Sequence, residues 1–168
     1  MTEEDIAKNY PWATTGKTSD RKRNVITSLE LDSAKMEKFN HKLMEKYKKL
    51  EENEVRYEEI QTKDAEYLLI AYGTSSRICQ KTVELARKEG IKLGLLRPIT
   101  LFPFPKKRIA ELTSQVKGIL SVEMSAGQMV EDVKLAVDGK VPVDYFGRLG
   151  GIVPSPEEVL EAAKQKIL

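Results

Sequence analysis

The hydrophobic positions of this chain follow two different periods. From Asp32, a side chain suited to an N-cap, Met36, Phe39, Leu43, Tyr47 and Leu50 step by three or four with charges between them. That spacing predicts an amphipathic helix of about five turns. Its stripe is narrow, so the helix is expected to lie on a surface rather than in a core, with His41 off the stripe and facing solvent. After it the period changes. VRYEEI (55–60) mixes apolar and charged residues and reads as a half-exposed edge strand. YLLIAY (67–72), IKLGLL (91–96) and GILSVE (118–123) are apolar runs of the kind buried on both faces of a sheet, and VPVDYF (141–146) supplies a last strand.

Between the strands the helical period returns. Ile78, Cys79, Thr82, Val83 and Ala86 form one inner face, capped by Ser75 or Ser76 and stopped by Gly90. Another helix opens at Pro105, and a third faces inward with Met129, Val130, Val133, Ala136 and Val137 and ends at Gly139. Ser155-Pro156-Glu157-Glu158 is a capping box with proline in the first turn, and the closing helix is expected to bury Val159, Leu160, Ala163 and Ile167. Strand-helix-strand units with short loops make right-handed crossovers, hence a mostly parallel sheet covered on both faces: a three-layer α/β/α fold. Residues 1–29 show no sustained period and read as loop or linker.

Composition removes several function classes. A length of 168 residues suits one domain with an appendage. The 28 basic and 26 acidic residues are interspersed for a net charge of +2, so no sustained positive field is available to hold a nucleic acid. A single cysteine, Cys79, excludes an internal disulfide, a CxxC pair and a cysteine-ligated iron-sulfur cluster within this chain. Cys79 sits on an apolar helix face and reads as a small buried hydrophobe rather than a nucleophile. The single histidine, His41, argues against a histidine-rich metal site. No apolar run is long enough to cross a bilayer, and MTEED lacks the order of a signal peptide, so a soluble, cytoplasmic protein with no membrane partner is expected.

Gly16-Lys17-Thr18 matches the end of the phosphate-binding G-x-x-x-x-G-K-[ST] loop, but the required first glycine is replaced by Pro11, no apolar strand leads in and a charged run follows. It reads as an ordinary loop. No G-x-G-x-x-G occurs either. In a doubly wound sheet, ligands bind beyond the carboxyl ends of the strands where the strand order reverses. Two segments there carry suitable chemistry. Gly73, Thr74, Ser75, Ser76 and Arg77 open a helix and could hold an anion, or the serines could be only caps. Glu123, Ser125 and Gln128 surround Gly127, which could instead serve only a tight turn. In RPITLFPFP, Arg97, Phe102 and Phe104 lie among Pro98, Pro103 and Pro105; the phenylalanines could anchor a protein interface or seal the sheet edge. GRLGG permits close backbone approach at Gly150 and Gly151, with Arg148 able to reach an anion or a partner's carboxylate.

PWATTG, EVRYEEIQTKDAEYLLIAYGTSSRI, LRPITLFPFP, VEMSAGQMVEDVKLAV and YFGRLGGIVPSPEEV together resemble the alpha subunit of 2-oxoacid:ferredoxin oxidoreductases, nearest the 2-ketoisovalerate (branched-chain 2-oxoacid) branch. The resemblance runs from about Pro11 to the C-terminus. It implies a domain like the C-terminal domain of transketolase, with five strands in the order 1-3-2-4-5 and the first, 55–60, antiparallel. It implies three parts: 1–29 as the trailing segment of a pyrimidine-type domain, 30–53 as a linker helix, and 54–168 as the transketolase-like domain. Complete enzymes of this kind use thiamine diphosphate, Mg2+, coenzyme A and iron-sulfur clusters to decarboxylate a 2-oxoacid oxidatively to an acyl-CoA and reduce ferredoxin. Their beta subunit binds the thiamine diphosphate, beside gamma and ferredoxin-like delta subunits. The chain lacks the pyrimidine-type domain, a GDG-type motif and cluster cysteines, so it is expected to be a C-terminal fragment, inactive alone and structural in role. The reading from another class is a free-standing small-anion or nucleotide-binding module on the helix after Gly73. A coiled-coil adaptor built on the 32–50 helix is disfavoured by an apolar repeat of under three heptads.

Overall fold

The computed structural model describes residues 2–10, 12–13, 19, 22–25 and 27–168. Pro11, Gly16-Lys17-Thr18 and Arg21 lie outside the described residues. The chain divides into two compact units, Met1–Leu43 and Met44–Leu168, and the division falls inside a helix.

The first unit begins with a short helix that the periodicity did not reveal, α1 (Glu3–Asn9). Residues 1–29 are therefore not loop throughout. Thr2 is its N-cap: the hydroxyl accepts from Asp5 N at 3.1 Å while the Asp5 carboxylate accepts from Thr2 N at 2.9 Å. A seven-residue helix is too short to show a period, and the capping pair T-x-x-D was its only trace. The long helix α2 (Ser33–Asn53) starts where Asp32 predicts, with Oδ1 accepting from Ala34 N and Lys35 N. None of its residues is buried, and His41 is exposed.

In the second unit β1 (Tyr57–Ile60), β2 (Tyr67–Ile70), β3 (Leu93–Pro98), β4 (Gly118–Glu123) and β5 (Val143–Gly147) form one sheet in the order β1-β3-β2-β4-β5. The pair β1–β3 is antiparallel, with Tyr57 opposite Pro98, and the other three pairs are parallel. This is the order and the antiparallel edge that the resemblance implied. β1 starts two residues later than VRYEEI suggests, because Arg56 O accepts from Ile99 N and Thr100 N in the loop beyond β3. Helices α3 (Gly73–Lys88) and α6 (Pro156–Lys166) cover one face of the sheet, and α4 (Lys106–Leu112) and α5 (Met129–Val137) cover the other.

Alternation along the strands divides the core between these layers. Leu69, Leu95, Leu120 and Val122 face α3 and α6, where Cys79, Val83, Val159 and Ala163 meet them. Leu68, Ile70, Leu96 and Ile119 face Phe104, Ile109, Met129 and Val133. α3 ends as predicted: Gly90 takes a φ of +80°, Ile91 N donates to Ala86 O and Gly90 N to Arg87 O, the pair of bonds that closes a Schellman motif. α6 begins with the expected capping box, Ser155 Oγ accepting from Glu158 N and Glu158 Oε2 from Ser155 N. Ile167 is only half-buried, beside the core rather than in it.

Candidate functional site

The strand order reverses between β2 and β4, so the loops leaving their carboxyl ends, with the one leaving β5 beside them, form the edge at which such sheets bind ligands. The chemistry there differs from the simplest sequence expectation at each loop.

Behind β2 the chain turns through Gly73, whose φ of +56° lies in the left-handed region, and α3 begins at once. Ser75 and Ser76 therefore do not cap it. The helix starts before them, Tyr72 occupies the cap position without a side-chain bond, and both serines are buried. Ser76 Oγ donates back to Gly73 O at 2.8 Å. Thr74 and Arg77 face solvent.

At the end of β4 five donors converge on one carboxylate. Glu123 Oε1 accepts from Ser121 Oγ (3.1 Å) and Val130 N (2.9 Å); Oε2 accepts from Ser125 Oγ (2.9 Å), Gln128 N (2.9 Å) and Met129 N (3.1 Å). The side chain, 2% exposed, caps α5 from the neighbouring strand, where the helix dipole favours a negative charge. Burial pushes its pKa up, but the bonds from Gln128, Ser125, Val130 and Met129 outweigh that and hold it below the ordinary glutamate value. Gly127, at φ +98°, lets the turn bring those amides round, and Tyr145 donates its hydroxyl to Ser125 O. Burial, and the Glu123 charge after it, raise the Tyr145 pKa. Glu123, Ser125, Gly127 and Gln128 are thus brought together, but as a closed clasp with both carboxylate oxygens engaged. Ser121 and Tyr145 belong to it as well. Ser121 was readable, since residues two apart on a strand share a face; Tyr145 left no such signal.

Beyond β5 the close backbone approach falls at Gly147 rather than at Gly150 and Gly151. A Cβ on Gly147 would strike the Tyr145 ring and lie 2.6 Å from Ser125 O, whereas one on Gly150 or Gly151 would meet nothing within 4 Å. Those two glycines serve the turn, at φ +65° and +82°. Arg148 N donates to Glu123 O, and its guanidinium lies 3.5 Å from Glu158 Oε1, so it pairs within the chain. Arg97 likewise pairs across strands with Glu58 at 2.8 Å. Both arginines keep a buried Nε without a partner among the described residues.

The two phenylalanines of RPITLFPFP part company. Phe104 is 8% exposed and joins the core under α4 and α5, while Phe102 is 59% exposed and meets Tyr47 edge to face at 5.8 Å. Phe104 is therefore core that shows only an edge, while Phe102 is open to a partner. Cys79 is fully buried and burial pushes its thiol far up, so it acts as core. Among the described residues no group of three His, Cys, Asp or Glu side chains is arranged to hold a metal ion, and no helix is long and apolar enough to cross a membrane.

A sheet of this order with an antiparallel first strand and helices on both faces defines a doubly wound α/β domain. The same fold occurs in 2-oxoglutarate:ferredoxin oxidoreductase from Magnetococcus marinus (TM-score 0.65, 16% identity, 83% of this chain and 24% of that one). It occurs again in a split-gene transketolase (TM-score 0.57, 14% identity, 67% of this chain and 41% of that one). Residues 65–159 match the family described as pyruvate:ferredoxin oxidoreductase core domain II, and the chain belongs to that family. The ketoisovalerate oxidoreductase subunit VorB of Methanothermobacter marburgensis is 49% identical over 154 residues, which is 92% of this chain and 43% of the relative. The chain thus spans less than half of the length of that relative.

Proposed function

We propose that this chain contributes core domain II to the alpha-type subunit of a 2-oxoacid:ferredoxin oxidoreductase of the ketoisovalerate branch. The observation that carries the reading is the 49% identity to a ketoisovalerate oxidoreductase subunit over 92% of the chain. The whole enzyme decarboxylates a branched-chain 2-oxoacid oxidatively to its acyl-CoA and passes the electrons to ferredoxin. Residues 54–168 act as the transketolase-like domain and 30–53 as the helix that leads into it.

The cofactors of such an enzyme do not fit the described residues of this chain. The single thiol is buried on the inner face of α3, out of reach of an iron-sulfur cluster. The buried carboxylate Glu123 has both oxygens occupied by five donors, which leaves no acceptor free for a thiamine ring. Thiamine diphosphate with Mg2+, and the clusters, accordingly belong to companion beta, gamma and delta subunits or to other parts of the enzyme. The contribution of this domain is structural: it completes the alpha subunit and supports assembly, with coenzyme A entering along its border.

The test is a substrate panel on the purified complex that contains this chain, read as coenzyme-A-dependent reduction of ferredoxin. Ketoisovalerate should give the highest kcat/KM, above 2-oxoglutarate and pyruvate. A complex that prefers 2-oxoglutarate or pyruvate would overturn the branch, and one that oxidises no 2-oxoacid would overturn the function.

A further inference from the structure

A concave surface of the second unit lies beside the Glu123 clasp, at the loop that leaves the carboxyl end of β3. A groove of about 590 Å3 opens between the last turns of α2, the start of β1, the loop 99–105 and the first turn of α4. Its floor is apolar, with Val55, Pro103 and the edge of Phe104, and Phe102 stands at its lip. The end of α2 brings Glu51 and Glu52 to it and the start of α4 brings Lys106 and Lys107, with Asp132 of α5 also on the lining. Glu51, Glu52, Lys106 and Lys107 are exposed and, among the described residues, none of them has an ion-pair partner within 4 Å, although Arg108 nearby is fully engaged by Glu59 and Glu111.

The loop that shapes the groove is fixed in place. Thr100 Oγ1 donates to Pro103 O at 2.8 Å and accepts from Arg56 N at 3.0 Å, and Pro103 and Pro105 are buried. Phe102 therefore projects from a backbone that has little freedom left to lose, which is the property of an interface anchor. Leu101, Ile99 and Tyr57, each more than a third exposed, extend the apolar surface around it.

Resting on the subunit reading above, we infer that this groove is the seat of a companion subunit of the same oxidoreductase, which inserts an apolar side chain flanked by one basic and one acidic residue. Charge complementarity decides the occupant. An anionic ligand would be repelled by the carboxylates and a cationic one by the lysines, whereas a segment bearing both charges around an apolar residue satisfies the floor and both sets of charges together.

The experiment is co-purification of the full chain with its companion subunits, with affinity measured at low and at physiological salt. Phe102→Ser, the pair Lys106→Glu/Lys107→Glu and the pair Glu51→Lys/Glu52→Lys should each weaken association by about tenfold or more, the charge variants most at low salt. Leu135→Ser, an exposed apolar residue on α5, should leave it unchanged. Hydrogen exchange on the wild-type complex supplies a second reading that no misfolded variant can imitate: amides of 99–105 and 51–57 should slow on assembly. Wild-type assembly that all groove variants retain, or unslowed groove amides, would overturn the groove alone. Failure of the wild-type chain to assemble would overturn the subunit reading with it. Self-association of the purified chain, abolished by Phe102→Ser, would assign the groove to a second copy and overturn the choice of partner.

Discussion

At Glu123 a carboxylate gives up water for five donors, an arrangement that holds only while the group is ionised and every donor stays in place. Glu123→Gln puts an amide NH2 against backbone N–H groups, and we expect it to cost about 3 kcal/mol and to lower Tm by ~10 °C. The pH dependence follows from the direction of the shift. Because the folded pKa lies below the unfolded one, the contribution of Glu123 is complete above the ordinary value of 4.5 and is lost as the pH falls through the lower folded value. Denaturation curves from pH 7 to pH 3 should therefore show the gap between wild type and Glu123→Gln closing on the acid side. Glu59, held low by its bond to Arg108, and Asp144, held low by Lys166, add acid sensitivity to both proteins alike. Gly94 is a second residue whose identity is dictated by its neighbours: a Cβ there would lie 2.9 Å from Ala65 Cβ and 2.9 Å from Gln61 O, in a fully packed region. Gly94→Ala should cost about 1–3 kcal/mol by thermal melting with an unchanged circular dichroism spectrum.

Among the elements, α2 stands apart because none of its residues is buried, whereas β4 is buried along its whole length. Native-state hydrogen exchange should release the amides of Ser33–Asn53 well before those of β2 and β4, which open only with global unfolding; equal protection would show that a packing partner is already present. The same contrast explains what the sequence made legible. Apolar runs and helical periods sense burial, so β2 and β4 and the inner faces of α3, α5 and α6 could be read directly, and the antiparallel β1 followed from the resemblance. Helix starts set by tertiary contacts could not be read that way. α3 begins at Gly73 and leaves Ser75 and Ser76 in the interior, and α5 is capped by a residue from the preceding strand rather than by its own cap position. Phe102 and Phe104 are chemically identical neighbours along a proline-rich loop, and only the packing of α4 over the sheet decides which is core and which is lip.

For the second unit, the carboxyl end of β4 is drawn together by Glu123, Ser121, Ser125 and Tyr145, while an open groove, with its unpaired charges and the projecting Phe102, lies beyond the carboxyl end of β3 against α2 and α4. The proposed structural role rests on this distribution. The most direct test is the coenzyme-A-dependent turnover of ketoisovalerate by the complex carrying either the wild-type chain or Glu123→Gln, at a temperature where both remain folded. Turnover should require the chain, with a kcat that the substitution changes by less than about twofold although Tm falls. A complex equally active without the chain, or a kcat reduced by about a hundredfold at unchanged Tm, the size of effect expected of a general acid or base, would contradict the proposed role.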